Sequence, residues 1–332
     1  MTAVTARAPG RVNLMGDHTD YAGGLVLPMA IDLETIVSGE RGGDTVVLTS
    51  SAEDGEVVVP LDVADPAAVT PSWGRYAAAV VAALRPGCGF RGSVHSTVPV
   101  GAGLSSSAAL EVAVALALGF QGSALELAML CRRAEQDATG VPCGIMDQLA
   151  SAAGVADHAL RIDCTTLDVT PVPIPDGLEV VVVHSNEPRR LTATPYAERR
   201  AQCEAAAAIV GPLPQASREL VEAIADPVLR RRARHVVTEC ARVDAFVAAL
   251  ASFDAARLGE LLVASHASLR DDFEVSTPAV DALVEKLSAT PGVFGARITG
   301  AGFGGCVVAL AEAGTNLDGW HVRAADGASV SG

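Results

Sequence analysis

Lysine is nearly missing from this sequence of 332 residues, in which Lys286 is the single one. Arginine supplies the other permanently basic side chains, and the formal net charge is −15. So acidic a surface cannot neutralise a nucleic-acid backbone or an anionic membrane over a wide patch, which argues against both as partners. If the partner is a small anion, its site needs arginine, a metal ion or the N-terminus of a helix.

The sequence also has no C-x-x-C pair and no long apolar run. The seven cysteines are an odd number and form no C-x-x-C pair, which favours reduced thiols over a disulfide framework or a zinc site. No uncharged segment is long enough to cross a bilayer, and the first residues lack the apolar run of a signal peptide. We therefore expect a soluble, cytoplasmic protein; the sequence leaves its oligomeric state open, with a monomer favoured.

Aromatic residues make up only 4% of the chain, whereas half of all residues are hydrophobic. We expect a substantial core built on Ala, Val and Leu. Strand and helix patterns alternate along the chain, and a continuous apolar strand at 177–185 follows the Pro-rich piece 169–177. A boundary at that piece predicts an α+β protein of two domains, residues 1–175 and 176–332.

The stretch VPVGAGLSSSAALEV, residues 98–112, has the glycines of a phosphate-binding loop but no lysine. Gly101 and Gly103 allow a ligand to approach the backbone, and Ser105 to Ser107 stand where a strand gives way to a helix. Such a junction directs unpaired amides and the positive helix end toward an anion. The missing lysine excludes the G-x-x-x-x-G-K-[ST] loop. A flexible Gly/Ser linker is disfavoured because apolar segments flank the loop directly.

A second polar loop, GDHTDYAGG at residues 16–24, places two carboxylates, a histidine, a threonine and a tyrosine between glycines. This set suits a polyol, since each of its neighbouring hydroxyls needs an acceptor and charged acceptors bind more strongly. Without further context, an Asx-rich turn with solvated acids is an equal alternative.

The 98–112 stretch resembles the ATP-binding motif of the GHMP small-molecule kinases, and residues 10–24 resemble the galactokinase signature with one substitution. The resemblance continues in the family's order through CGIMDQ (143–148), YAERRAQCE (196–204), ASHASLRDDFEVS (264–276) and RITGAGFGGC (297–306). It implies the two-domain GHMP fold, α+β with mixed sheets and helices, and an active site in the cleft between the domains. It also implies transfer of the γ-phosphoryl group of ATP to the C1 hydroxyl of α-D-galactose.

Carried over position by position, the resemblance assigns Asp20 to the sugar's O3 and O4, Tyr196 to O4, and the backbone of Gly144 to the sugar. Asp17 and His18 would face O6. Asp17 is the departure, because galactokinases usually carry Glu there, and the shorter side chain withdraws its carboxylate by one methylene. A changed preference at C6 is therefore open.

For the chemistry, the resemblance places Asp147 beside the C1 hydroxyl, as a base or as a positioning group, and Arg11 near both Asp147 and the transferred phosphate. Because the loop lacks lysine, Mg²⁺ is implied, with Ser107 and Glu135 as its oxygen ligands. The ATP-binding residues would be Gly101, Ala102, Gly103, Leu104, Ser105, Ser106 and Ser107, with Trp73 near the adenine. A second glycine loop, residues 300–305, would close the cleft.

Two other functions are open at this stage. One is a GHMP kinase for a modified sugar, such as galactosamine, N-acetylgalactosamine or arabinose. The other is a non-catalytic sensor of galactose and ATP. The intact Ser105 to Ala109 segment, together with Arg11, Glu135 and Asp147, favours the enzyme over the sensor.

Overall fold

The structure is a computed structural model that describes residues 2–187 and 193–332, without the side chains of residues 193 and 194. Its strands are β1 (Thr2–Asn13), β2 (Leu25–Val26), β3 (Pro28–Arg41), β4 (Thr45–Ser50), β5 (Val57–Pro60), β6 (Phe90–Ser96), β7 (His158–Asp163), β8 (Val169–Pro173), β9 (Leu178–His184), β10 (Val293–Thr299), β11 (Cys306–Glu312), β12 (Trp320–Val322) and β13 (Ser329–Ser331). Its α-helices are α1 (Gly74–Leu84), α2 (Ser106–Ala117), α3 (Ala124–Thr139), α4 (Met146–Ala153), α5 (Ala193–Val210), α6 (Arg218–Glu222), α7 (Pro227–Ser252), α8 (Ala255–Asp271) and α9 (Pro278–Ser288).

Residues 2–173, together with the last strand β13, form two sheets. A six-stranded sheet has the order β13-β1-β3-β6-β4-β5, in which only the β4–β6 pair is parallel, and a three-stranded sheet has the order β2-β7-β8. Helix α2 packs on β1 and β3 and contacts α1, α3 and α4. Eight of its twelve residues are buried, as its nearly unbroken apolar sequence predicts.

The second half forms a four-stranded antiparallel sheet of order β10-β11-β9-β12, packed against α8 and α9. Strand β11 lies between two neighbours and buries six consecutive residues, as expected for a strand covered on both faces. The long helix α7 starts at a Pro in its first turn, after Asp226, whose carboxylate accepts from two amides of that turn. The α+β architecture with mixed sheets is therefore as predicted.

Two details differ from the sequence-based expectation. The Pro-rich piece 169–177 contains strand β8, which pairs antiparallel with β7. Prolines are tolerated there because β8 is an edge strand, whose free side needs no amide donors. In addition, β13 pairs with β1, with Thr5 opposite Ser331, so the last strand joins the first sheet. Among the helices that the structure describes, none is long and apolar enough to cross a membrane.

Candidate active site

Two cavities adjoin at the end of β1, between the 16–24 loop and the start of α2. The smaller measures about 140 Å³ and the larger about 670 Å³. Six residues line both: Arg11, Glu135, Val141, Cys143, Asp147 and Tyr196. The smaller cavity also contains the predicted sugar residues Asp17, His18, Asp20 and Gly144, and the larger contains Trp73, Gly101, Gly103, Ser105, Ser106 and Ser107.

The loop before α2 has the left-handed backbone conformation that its glycines allow. Gly101 and Gly103 have φ angles of 76° and 80°, and Ser105, at the start of the helix, has φ 59° in the left-handed region. This turn leaves the first amides of α2 facing the larger cavity, where the helix dipole favours an anion. Ala102 and Leu104, also predicted to bind ATP, are buried in the core and line neither cavity.

Trp73 lies on the wall of the larger cavity, next to the start of α1. Its ring is 8% exposed, and Nε1 donates to the carbonyl oxygen of Asp54 at 3.3 Å. With the indole nitrogen satisfied in this way, the ring offers an apolar surface to a ligand in the cavity.

Arg11 and Asp147 form a two-pronged ion pair where the cavities meet. Arg11 Nε and Nη2 donate to Asp147 Oδ1 and Oδ2 at 2.8 and 2.6 Å, while Nη1 donates to the carbonyl of Gly103 at 2.5 Å. Ser105 Oγ donates to Asp147 Oδ2 at 2.5 Å. Arg11 therefore ties the catalytic candidate Asp147 to the loop before α2, in a bidentate geometry that fixes the carboxylate plane.

Glu135 lies beside this pair with both oxygens engaged. Ser107 Oγ donates to Oε1 at 2.8 Å, and Gln148 Nε2 donates to Oε2 at 2.5 Å. Burial, with the nearby charge of Asp147, raises the pKa of Glu135. Glu111, fully buried behind Gln148, has its pKa raised well above the usual range by burial and by Glu135. This concentration of carboxyl groups favours a cation on the cavity side.

Asp20 lines the smaller cavity together with Asp147. Burial, followed by the charge of Asp147, raises the pKa of Asp20 to about 6. Gly144 is the close neighbour, since a Cβ at that position would lie 1.6 Å from Asp20 Oδ2. The glycine therefore gives the Asp20 carboxylate its place on the cavity wall.

Asp17 also touches the smaller cavity, but its carboxylate is only 1% exposed. It forms a buried ion pair with Arg297 and accepts a hydrogen bond from the amide of Gly300 at 3.1 Å. Arg297 in turn donates to the carbonyl of Leu14 at 2.9 Å. Both oxygens of Asp17 thus face protein donors, and the side chain connects the 16–24 loop to the glycine loop 300–305.

Aromatic rings close the remaining side of the smaller cavity. His18 has a φ angle of 63°. Its Nδ1 lies 2.9 Å from the hydroxyl oxygen of Tyr21, and its Nε2 lies 3.2 Å from the carbonyl oxygen of Ala301. Tyr196 packs edge-on against Tyr21, with centroids 5.5 Å apart. Burial raises the pKa of Tyr196 well above its usual value, so its hydroxyl stays protonated and able to donate.

Sequence reasoning missed several residues of this site. Gln148 follows Asp147 directly in the segment CGIMDQ, and this adjacency is the signal that could have identified it. Tyr21 lies inside the 16–24 loop, where the sequence indicates it only as one member of a set of polar residues. Glu111 carries no local signal. Arg297 begins the segment RITGAGFGGC, but its role beside Asp17 depends on residues distant in sequence that only the fold brings near.

Comparison with known proteins identifies the family to which the chain belongs. The family model described as the galactokinase galactose-binding signature matches residues 2–41, the GHMP kinase N-terminal domain matches 75–155, and the GHMP kinase C-terminal domain matches 246–317. Human galactokinase is 45% identical over 92% of this chain and 83% of its own length, and dog galactokinase gives the same values.

Among solved structures, Lactococcus lactis galactokinase complexed with galactose superposes with a TM-score of 0.91 at 32% identity, covering 98% of this chain and 95% of that one. Methanococcus jannaschii mevalonate kinase, at 20% identity, gives a TM-score of 0.68 over 93% of this chain and 90% of its own and shares the fold alone. The two-domain GHMP kinase fold is thus confirmed. With both sequence and structure matched over nearly its full length, the chain belongs to the galactokinase family of GHMP kinases.

Proposed function

We propose that this chain transfers the γ-phosphoryl group of ATP to the C1 hydroxyl of α-D-galactose, giving galactose 1-phosphate and ADP. Membership of the galactokinase family supports the reaction. One further observation supports the assignment of the sugar and of ATP to the two cavities. Asp147 and Arg11 line both cavities, so a group in the smaller cavity and a phosphate in the larger would meet at this pair. The sugar therefore occupies the smaller cavity and ATP the larger.

The roles of the chain's own groups follow from their contacts. Asp147, held by Arg11 and Ser105, accepts the hydrogen bond of the C1 hydroxyl and orients its oxygen toward the γ-phosphorus. As the new O–P bond forms, the bond from the γ-phosphorus to the β,γ-bridging oxygen breaks and the hydroxyl proton departs toward Asp147. Arg11 and the amides at the start of α2 stabilise the charge on the transferred group. Asp20, His18 and Tyr196 bind the sugar hydroxyls.

Mg²⁺ fits the oxygens present. The hydroxyl of Ser107 and a carboxylate oxygen of Glu135 lie 2.8 Å apart on the wall of the larger cavity, and the surrounding carboxyl groups call for a positive charge. Within residues 2–187 and 193–332, no group of three or more His, Cys, Asp or Glu could hold a metal ion. One hydroxyl and one carboxylate suit Mg²⁺, which keeps water and phosphate as its other ligands. When bound, the ion neutralises charge on the triphosphate. We place the enzyme in the cytoplasm, because an odd number of cysteines without a C-x-x-C pair favours reduced thiols.

The test is sugar-dependent ADP release with Mg-ATP, run in parallel on galactose, glucose, galactosamine, N-acetylgalactosamine, 6-deoxygalactose, arabinose and galacturonate. We expect the highest kcat/KM for galactose, with phosphate found at C1 by NMR of the product. A higher kcat/KM for another sugar, or ADP release that does not depend on sugar, would contradict the proposal.

A further inference from the structure

Two side chains of helix α7, in the second half of the chain, bind the backbone of the 16–24 loop. Glu239 is fully buried, and its Oε1 accepts from the amide of Gly16 at 3.0 Å and from Ser265 Oγ at 2.7 Å. Its Oε2 accepts from Arg242 at 2.7 Å. Burial acts to raise the pKa of Glu239, but the nearby positive charges outweigh it and lower the pKa to about 2. The group is thus a fixed carboxylate.

One turn earlier on α7, His235 is also fully buried and reaches the next residue of the loop. Its Nε2 lies 3.0 Å from the carbonyl oxygen of Asp17, and its Nδ1 lies 2.9 Å from Ser268 Oγ. A carbonyl only accepts, so Nε2 carries the proton and Nδ1 accepts from the serine. Burial lowers the pKa of His235, which agrees with a neutral ring.

The same histidine reaches the cavity wall by a second route. Its ring packs on Phe273 with centroids 4.5 Å apart, and Phe273 packs on His18 at 4.8 Å. His18 follows Asp17 and lines the smaller cavity. The backbone before His18 is therefore bound directly from α7, and the ring of His18 packs on Phe273, which itself packs on His235.

We propose that His235 and Glu239 are positioning residues of the sugar site, which set the placement of Asp17, His18 and Asp20 without touching the sugar. This inference rests on the proposed function, since it names the residues that fix its sugar loop. A buried polar group can have two different effects. A group that only stabilises the fold changes the unfolding temperature, whereas a group that positions the loop changes sugar affinity in particular.

Two substitutions of His235 test its two hydrogen bonds separately. In His235→Gln the amide nitrogen reaches the position of Nε2 and keeps the donation to Asp17, whereas in His235→Asn it reaches only the position of Nδ1 and loses it. Val236→Ala is the matched control, because Val236 is the adjacent, fully buried residue of α7 and its side chain has no group that could donate or accept a hydrogen bond. Thermal unfolding, kcat and the KM values for galactose and ATP are measured for all three.

We expect His235→Asn to raise the KM for galactose about tenfold, equivalent to about 1.4 kcal/mol of binding, with the KM for ATP unchanged. His235→Gln should restore most of that loss. Val236→Ala should lower the unfolding temperature and leave the KM for galactose as in the wild type. Equal galactose KM values in His235→Asn and Val236→Ala, or no rescue by Gln, would overturn the inference. Absence of wild-type turnover on galactose would instead overturn the proposed function, and the comparison would then use the sugar that is turned over.

Discussion

The Asp20 carboxylate occupies the space that a side chain at position 144 would take. A Cβ built on Gly144 lies 1.6 Å from Asp20 Oδ2 and 2.2 Å from its Cγ. Real Cβ atoms do not approach a neighbour so closely, so any larger residue at 144 must displace the carboxylate. The glycine before α4 is thus a requirement of the 16–24 loop, which is distant in sequence.

Gly144→Ala should therefore weaken sugar binding more than ATP binding. We expect the KM for galactose to rise at least about tenfold, because displacing Asp20 removes charge-assisted hydrogen bonds worth ~1.5–3 kcal/mol each. Steady-state kinetics with each substrate varied in turn measures this. Gly87→Ala is the control, since nothing lies within 4 Å of its Cβ position and its φ needs no glycine. A galactose KM equal to that of Gly87→Ala would contradict the prediction.

The raised pKa of Asp20 makes stability depend on pH in a defined direction. Its value of about 6 in the folded protein exceeds the usual 3.8, so the folded state binds more protons between these values. The unfolding free energy contributed by Asp20 therefore falls as pH rises from about 4 to about 6. Asp20→Asn should raise the unfolding temperature at pH 7.5 but not at pH 4, by a free energy of at most ~3 kcal/mol. The same difference at both pH values would contradict this cause.

Asp147→Asn should reduce turnover while both substrates still bind. We expect kcat to fall by about 10²–10⁴-fold, the range for loss of a positioned acid or base. Calorimetric titration with galactose and with ATP tests whether binding is retained. Asp244→Asn, which removes a surface pair with Arg161, is the matched control and should turn over normally. If Asp147→Asn fails to fold, the residue is structural and the prediction is wrong.

The proposed metal ligands should set the requirement for Mg²⁺. Ser107→Ala and Glu135→Gln are expected to raise the Mg²⁺ concentration for half-maximal activity by about 10–100-fold, the usual cost of weakening a metal site. Galactose binding, measured without ATP, should be unaffected. Asp137 lies on the same helix as Glu135 and pairs with exposed Arg133, so Asp137→Asn serves as the control. An unaltered Mg²⁺ dependence in both variants would exclude these ligands.

Asp17→Asn should destabilise the protein through Arg297. The amide keeps the size of the side chain but leaves the fully buried guanidinium without its counter-charge, a loss of ~3–5 kcal/mol when one partner of a buried pair is removed. Chemical denaturation measures the change. Glu260→Gln, which removes an exposed pair with Arg257, should cost at most about 1 kcal/mol. Similar losses in the two variants would show that burial of the Asp17 pair has no special weight.

Local signals explain what the sequence predicted well. The pattern ALELAMLCRRAEQDAT predicts a helix, and α3 has the same bounds. Ser123 and Glu126 form a capping box at its start, and Gly140, with φ 70°, ends it. The two glycine-rich loops are also predictable from the sequence, since their backbone conformations depend on residues that are close in sequence. Strand β8 was missed because its prolines are typical of a linker, and only its edge position makes them tolerable.

The supports of the site were not predictable in the same way. Arg297 is separated from Asn13, whose carbonyl it binds, by 284 positions. A buried arginine or histidine has no sequence pattern of its own, and its partner is defined only by the packed fold. Prediction from the sequence therefore covers residues that touch ligands within motifs and omits residues that hold those motifs in place.

The bonds from α7 to the 16–24 loop also bear on whether the signature could be transplanted. Gly16 and its partner Glu239 are 223 positions apart, and Asp17 and His235 are 218 apart. A protein engineered to carry only residues 10–24 would copy the ligand-facing chemistry without the helix that shapes it. The recognition unit for the sugar is thus a discontinuous one, and grafting it onto another scaffold would require α7 and the end of β10 as well.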